Sequence, residues 1–353
     1  GMLRAQEDLR TQLDRFAIVF YYIRNQYVDE VENKELVKAA IDGMLDTLDP
    51  HSVYLPRDSY AHFTEQFRED FSGIGIQFDV RDGELIVVSP LEGTPAMRLG
   101  IRAGDRIVAV DEEPVLSTIT TADVRKALRG PEGSLVNVSI RRPGSEETLS
   151  FDIIRARIPQ ESVRYAHMIE PGVGYVRIVR FATATGRELE EALEDLRSQG
   201  MEKLIVDLRL NSGGLLQQAV EVSNHFIPGG ERIVYTKGRA PASHAEYFAD
   251  AGAIKYIDEP LIMLIDHGSA SASEILSGAI QDLDRGLVVG TTSFGKGLVQ
   301  NQMRLRDGSA LLLTVAKYYT PSGRLIQRSY EDEETYRTEI WEQDAESDLS
   351  LIH

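Results

Sequence analysis

Apolar positions in the first seventy residues recur at helical spacing. Leu9, Leu13, Phe16, Phe20 and Ile23 share one face of a first helix, and Val37, Ile41, Met44, Leu45 and Leu48 one face of a second. Each stripe needs a covering surface. Packing on the rest of the chain is the expected cover, and a dimerisation arm is the alternative. Leu48-Asp49-Pro50-His51-Ser52 ends the pattern, because proline turns the preceding residue away from the helical region. From Phe71 to about Ile158 the period shortens to two. Strands are expected at Ile76 to Val80, Glu84 to Val88, Val136 to Ile140 and Thr148 to Ile154, with short helices at Pro95 to Leu99 and Thr121 to Leu128. From about Gln160 to Gln327 strands and helices alternate, which predicts an α/β core. Within it, Gly229 to Glu259 lacks a period and reads as an irregular cap over a site. Residues 331–353 carry many acids against the single Arg337 and read as a solvated tail, with Trp341 as one anchored point.

At 353 residues the chain exceeds one core of roughly 100–200 residues, so two or three domains are expected. A net charge of −18 argues against a nucleic-acid partner, which would need clustered Lys and Arg. The absence of cysteine excludes thiol catalysis, disulfides and Cys-ligated zinc, and fits either the cytoplasm or the bacterial periplasm. The longest apolar run, Phe16 to Ile23, is far shorter than the roughly 20 residues of a membrane span. Gly1-Met2 reads as a remnant of cloning, so a leader or membrane anchor could precede it.

One stretch concentrates candidate chemistry. Gly268-Ser269-Ala270-Ser271-Ala272-Ser273-Glu274 leads into a helix with Ile275, Leu276, Ala279, Ile280 and Leu283 on one face; a short strand follows, then Ser293-Phe294-Gly295-Lys296-Gly297-Leu298-Val299-Gln300. A serine at a helix start and a glycine-flanked lysine one strand later have the makings of a nucleophile and its base. Ser271 to Glu274 is equally a capping box. Lys296 weighs toward catalysis: Phe294, Leu298 and Val299 supply an apolar lining that lowers an amine's pKa, and Gln300 shares its face along an extended chain. The amide of Ala272 and those of Gly213 and Gly214, where a buried strand runs into a helix, are candidate oxyanion donors. Asp207 and Arg209 read as a structural pair. A triad drawn from Ser271 with Asp266 and His267, or with His225, lacks a local signature, and His-Glu-x-x-His is absent.

The turn Gly100-Ile-Arg-Ala-Gly-Asp-Arg-Ile107, in its order of strands and helices, resembles a PDZ domain of the bacterial, circularly permuted kind. Such a domain would hold a terminal carboxylate on the amides of Gly73, Ile74 and Gly75, add the peptide as a strand along Ile76 and Phe78, and read its last side chain with Val124 and Leu128. Leu48-Asp-Pro-His-Ser-Val-Tyr-Leu55, Asp207-Leu-Arg, Asn211-Ser-Gly-Gly-Leu-Leu216, Gly268 to Glu274, Phe294-Gly-Lys-Gly297 and Tyr318-Tyr-Thr-Pro-Ser-Gly-Arg324 extend the resemblance. Together they are similar to the carboxyl-terminal processing (tail-specific) proteases, PDZ-containing serine proteases with a Ser/Lys dyad.

That resemblance implies a multidomain α+β chain. A helical region (1–70) and a PDZ domain (71–158) would precede an α/β crotonase-like (ClpP/crotonase) protease core (159–330, cap at about 229–259) and an acidic tail (331–353). It implies Ser271 as nucleophile, Lys296 as base, Gln300 as its orienting partner and Arg129 as a regulatory link, with neither metal nor cofactor. Protein C-termini would be the substrates and the location extracytoplasmic, with a homo-oligomer through the N-terminal helices and a missing membrane anchor both open to it.

Overall fold

The computed structural model describes residues 2–81, 83–145, 147–253, 256–330 and 336, with side chains from residue 8 onward. Helices α1 (Met2–Gln26) and α2 (Asn33–Leu45) form where the pattern predicts them. The stripe of α1 stays uncovered, with Leu9, Leu13 and Phe16 keeping 60%, 59% and 51% of their surface, whereas that of α2 is partly covered, with Leu45 buried and Ile41 half-buried. Packing on the rest of the chain, the expected cover, is therefore found in part for α2 and not for α1. A helix satisfies its own backbone, so its pattern fixes the element and not its partner.

Past Pro50 the chain makes a short strand, Val53–Leu55, and helix α3 (Arg57–Glu65). Tyr60 of α3 is buried; its hydroxyl donates to Gln302 Oε1 (3.1 Å) and accepts from Arg304 Nε (2.8 Å), which docks the helix on strand Leu298–Arg304. Strand Asp70–Gly73 then pairs antiparallel with Ala156–Pro159, Phe71 opposite Ile158. This stalk closes off the intervening residues as a unit with its own core.

That unit is a six-stranded antiparallel sheet whose main path runs Ile76–Arg81, Glu84–Pro90, Arg106–Val110, Leu135–Arg141, Thr148–Ile154. Helices α4 (Pro95–Arg98) and α5 (Thr121–Leu128) accompany it. Alternate strand residues Val136, Val138 and Ile140 are fully buried, as the period of two requires, against Val124 and Leu128 of α5. Thr120 caps α5 reciprocally with Asp123.

A second core surrounds a five-stranded sheet, Val163–Glu170, Val173–Ile178, Lys203–Asp207, Leu261–Ile265, Leu287–Gly290, parallel after its first pair. Helices α6 (Thr185–Ser198), α7 (Leu216–Asn224) and α8 (Ala272–Asp282) connect or follow its strands. Its middle strands read as continuous apolar runs because helices pack on them. Around the long strand Ala310–Tyr319 an antiparallel sheet gathers Val53–Leu55, Leu298–Arg304 and Arg232–Gly238. Residues 229–259 correct an expectation. They hold a hairpin, Arg232–Gly238 with Ala245–Phe248, that joins this sheet where irregular chain was expected. Gly238 allows the close approach, since a Cβ there would lie 2.2 Å from Val315 O. The tail beyond 330 lies outside the described residues except for Tyr336, and Trp341 with it.

Candidate active site

Three serines cluster before α8, and their surroundings separate them. Ser269 is fully buried and donates to Leu208 O (2.8 Å). Ser273, also fully buried, donates to Asn211 O (2.9 Å). Ser271 faces a cavity of about 580 Å³ that Lys296 and Gln300 also line. Its backbone sits at φ +53°, ψ −109°, a region a residue with a Cβ enters only under constraint. Bonds at both ends supply the constraint: its N–H donates to Glu274 Oε2 (2.7 Å), and its carbonyl accepts from Tyr318 OH (3.1 Å) and from the N–H groups of Glu274 (2.9 Å) and Ile275 (3.0 Å).

Glu274 reaches further than its own helix turn. Its carboxylate is 1% exposed and accepts from Ser293 Oγ (2.8 Å), Gly295 N (2.6 Å), Lys296 N (2.9 Å) and Ser271 N. Burial pushes its pKa up, while these donors favour the ionised form. One Oε2 thus holds the backbones of both Ser271 and Lys296, and Tyr318 OH bonds both their carbonyls.

Lys296 Nζ donates to Gln300 Oε1 (3.0 Å), and the other end of that amide donates to the carbonyl of His51. Burial lowers the lysine pKa, and the carboxylates of Asp49 and Glu274 oppose the shift. Asp49 is itself occupied by His51 N, Ser52 N and Oγ, and Thr314 Oγ1. Burial first, then the lysine charge, bring His51 down to about 4, so its ring is neutral beside the amine.

Gly213 and Gly214 also line the cavity, at φ +95° and +147°. A Cβ on Gly213 would come within 2.8 Å of Ser271 Cβ, and one on Gly214 within 2.1 Å of Phe181 O. The two amides are not equivalent, contrary to expectation. Gly213 N–H is taken by Asn211 Oδ1 (2.9 Å), whose side chain is in turn fixed on Ile178 O (2.8 Å). Ala272 opens α8, fully buried. Gly214→Ala is expected to destabilise the protein by about 3 kcal/mol, since Cβ meets backbone at a φ that L-residues avoid; thermal unfolding measures it.

The remaining lining is mixed, with Leu216, Ile275, Leu298 and Leu312 beside Gln66, Arg180, Ser212 and Gln302, and includes Phe63 of α3 and Phe67 just past it. Those two rings meet edge-to-face at 5.3 Å. Asp266, His267 and His225 are not among the lining residues; Asp266 Oδ1 instead braces the turn through Leu210 N and Gly268 N.

A second cavity of about 270 Å³ runs between α5 and strand Ile76–Arg81. Gly73, Ile74, Gly75, Ile76, Phe78 and Leu128 line it as expected. Val124 does not: at 1% exposure it belongs to the hydrophobic core, and Thr121 and Arg125 take the groove face of the helix. Arg129 ends this groove. Its guanidinium pairs with Glu65 of α3 and lies 4.3 Å from the Phe71 ring centroid. Sequence reasoning missed the reach of Glu274, the His51 carbonyl, the Tyr318 hydroxyl and the two phenylalanines, Phe63 on α3 and Phe67 just past it. Glu274 carried a signal as a capping partner, and His51 and Tyr318 lie in stretches singled out for the family resemblance with no role attached to them.

A peptide-sized groove on a PDZ-like unit, beside a core in which a half-buried serine and a half-buried lysine line one cavity, points to a hydrolase class. Comparison with known proteins specifies it. Residues 172–334 match Peptidase family S41, residues 86–142 a PDZ domain, and residues 2–59 the activating protease CtpB N-terminal domain. A carboxy-terminal-processing protease of Bartonella bacilliformis is 38% identical over 91% of this chain and 74% of its own length. The carboxy-terminal processing protease CtpB of Bacillus subtilis is 36% identical over 92% and 68%. Among solved structures, a photosystem II D1 C-terminal processing protease aligns with a TM-score of 0.51 at 31% identity, covering 88% of this chain and 83% of that one. The chain belongs to the carboxy-terminal processing proteases of Peptidase family S41 and is a serine peptidase with a PDZ domain.

Proposed function

We propose that this peptidase cuts proteins whose C-termini its PDZ groove has captured, using Ser271 as nucleophile and Lys296 as general base. The neutral amine takes the proton of Ser271 Oγ as that oxygen attacks the scissile carbonyl, and returns it to the departing amine nitrogen. Water, deprotonated by the same amine, then releases the acyl group. Gln300 orients Lys296. The amides of Ala272 and Gly214 receive the oxyanion, and Gly213 sets their spacing. Neither ATP nor a metal takes part.

The observation that carries this reading is the shared anchorage. Ser271 and Lys296 face one cavity, with both backbone nitrogens bonded to a single oxygen of Glu274. In the groove, the amides around Gly73, Ile74 and Gly75 receive the substrate carboxylate, and Ile76 to Phe78 pairs with its last residues over Leu128. Arg129, paired with Glu65, links groove occupancy to α3 and thereby to Phe63 and Phe67 over the active cavity. Arg129→Ala is expected to change how strongly a C-terminal peptide stimulates cleavage, with basal kcat as the comparison. The kinship with bacterial processing proteases supports work outside the cytoplasmic membrane. The exposed stripe of α1 fits a second copy of the chain or an anchored neighbour. Among the described residues no helix is long and apolar enough to cross a membrane.

The test is cleavage of an unfolded protein with an apolar C-terminus. Wild type should cut it in the presence of EDTA and react with a fluorophosphonate, and Ser271→Ala should do neither. Cleavage retained by Ser271→Ala removes the nucleophile, and loss of wild-type activity in EDTA removes the metal-free mechanism.

A further inference from the structure

We infer that Tyr336, from the segment after the core, is a positioning residue for Lys296, locking from outside the hydrogen-bond chain that holds the amine. The inference rests on the reading of Lys296 as base. Tyr336 is 4% exposed although its neighbourhood in sequence is strongly acidic. Its hydroxyl lies 2.7 Å from His51 Nε2, the carbonyl of His51 accepts from Gln300 Nε2, and Gln300 Oε1 accepts from Lys296 Nζ at 3.0 Å. A second arm reaches the residue that follows the lysine: Gln327 Nε2 donates to the Tyr336 hydroxyl (3.4 Å) while Gln327 Oε1 accepts from Gly297 N (2.9 Å). The ring packs edge-on against Phe294 and His51, with centroids 5.8 and 5.6 Å away. Arg328 stacks on it at 4.3 Å, donates to its carbonyl, and bonds Gly295 O through its own N–H (3.0 Å).

This arrangement controls more than stability because a glutamine amide has two ends of the same shape. Which end meets the lysine is decided by what the other end finds. The His51 carbonyl can only accept, so it draws the NH₂ and leaves the oxygen for Lys296. His51 is held at its N–H by Asp49 and at its ring by Tyr336. Without Tyr336 the ring is released, the amide loses its fixed end, and water reaches the aromatic side of the lysine pocket. The charged and titratable groups around that pocket are the carboxylates of Asp49 and Glu274, neutral His51, the Tyr318 hydroxyl, Arg180 in the lining of the shared cavity and, beyond Tyr336, Arg328. The carboxylates already favour the ammonium and burial opposes it. Admitting water weakens the opposing side, so more lysine is protonated at neutral pH.

The experiment compares the full chain with Tyr336→Ala and Tyr336→Phe, following kcat and KM on a peptide substrate against pH. Tyr336→Ala should lower kcat at pH 7 by about tenfold, with KM within about twofold. The acid limb of its kcat profile should move to higher pH by about one unit, the shift a tenfold loss on that limb corresponds to, so that activity recovers as pH rises. Tyr336→Phe keeps the packing and loses the bond to His51; it should shift the limb the same way by less, and it decides the matter if the alanine variant does not fold. Wild-type profiles in both, or a loss of kcat equal at every pH, overturn the role. Lys296→Ala run in parallel separates the two levels. If it still cleaves, the base assignment falls and this role with it; if it is dead while the Tyr336 variants behave as wild type, only the role of Tyr336 falls.

Discussion

Lys296→Met is expected to lower kcat by about 10³-fold or more while leaving the protein folded and at least as stable as wild type at pH 7. Methionine keeps the length and apolar body of the side chain between Leu298 and Val299 but cannot accept the Ser271 proton. The stability half follows from linkage. Burial lowers the lysine pKa in the folded state below its unfolded value near 10.5. Between those two values the unfolded chain binds more protons, so stability rises with pH through that window and is lowest, on this account, below it. Neutral pH lies on the costly side, and methionine removes the cost. Wild-type kcat should rise with pH through the same lowered pKa, because the reactive form is the free amine. A Lys296→Met enzyme that still turns over, or a wild-type profile that falls as the amine deprotonates, would discard the general-base role. Thermal melts beside a pH series of initial rates read both effects.

The parts of this site that announce themselves in sequence are those whose chemistry demands rare company. A lysine between two glycines and beside apolar residues is unusual enough that Lys296 and Gln300 could be paired from a strand's period of two, and Nζ to Oε1 indeed measures 3.0 Å. What stays hidden is set by non-local contact. The carboxylate of Glu274 reads as a cap for Ser271, but its other donors, at 293, 295 and 296, arrive only when strand Leu287–Gly290 is laid beside Leu261–Ile265. No periodicity joins His51 to Gln300. Helix α5 shows how fine the limit is. Thr121, Arg125 and Leu128 form one stripe along the groove, and Val124, about 100° of rotation from Arg125, faces the core. Residues 229–259 fail for another reason: glycine, proline and alanine obscure the apolar run Ile233-Val234, whose strand is stabilised by pairing with residues about eighty positions away. The stripe of α1 was legible as a helix and silent about what covers it.

Glu274→Gln should be the most damaging single-atom exchange in the molecule that touches neither the nucleophilic oxygen nor the amine. Four donors converge on the carboxylate, from Ser271, Ser293, Gly295 and Lys296. An amide offers one acceptor and turns an NH₂ toward two donors. A buried donor left without its partner costs about 1–3 kcal/mol, so the loss of two, with the new repulsion, should reach about 3 kcal/mol or more in urea unfolding. Catalysis should fall further than stability accounts for. Ser271 holds φ +53° only because its N–H and carbonyl are both tied, and releasing the N–H lets the backbone relax and swing Oγ away from Lys296. The expected loss in fluorophosphonate labelling rate is about 10²-fold, measured where the variant is still folded. Because Tyr318 retains its bond to the Ser271 carbonyl, Tyr318→Phe combined with Glu274→Gln should cost less than the two separate losses added, since both guard one backbone geometry. Normal labelling by Glu274→Gln would show instead that the strained serine is held by the surrounding loops, and that the shared oxygen contributes only to folding.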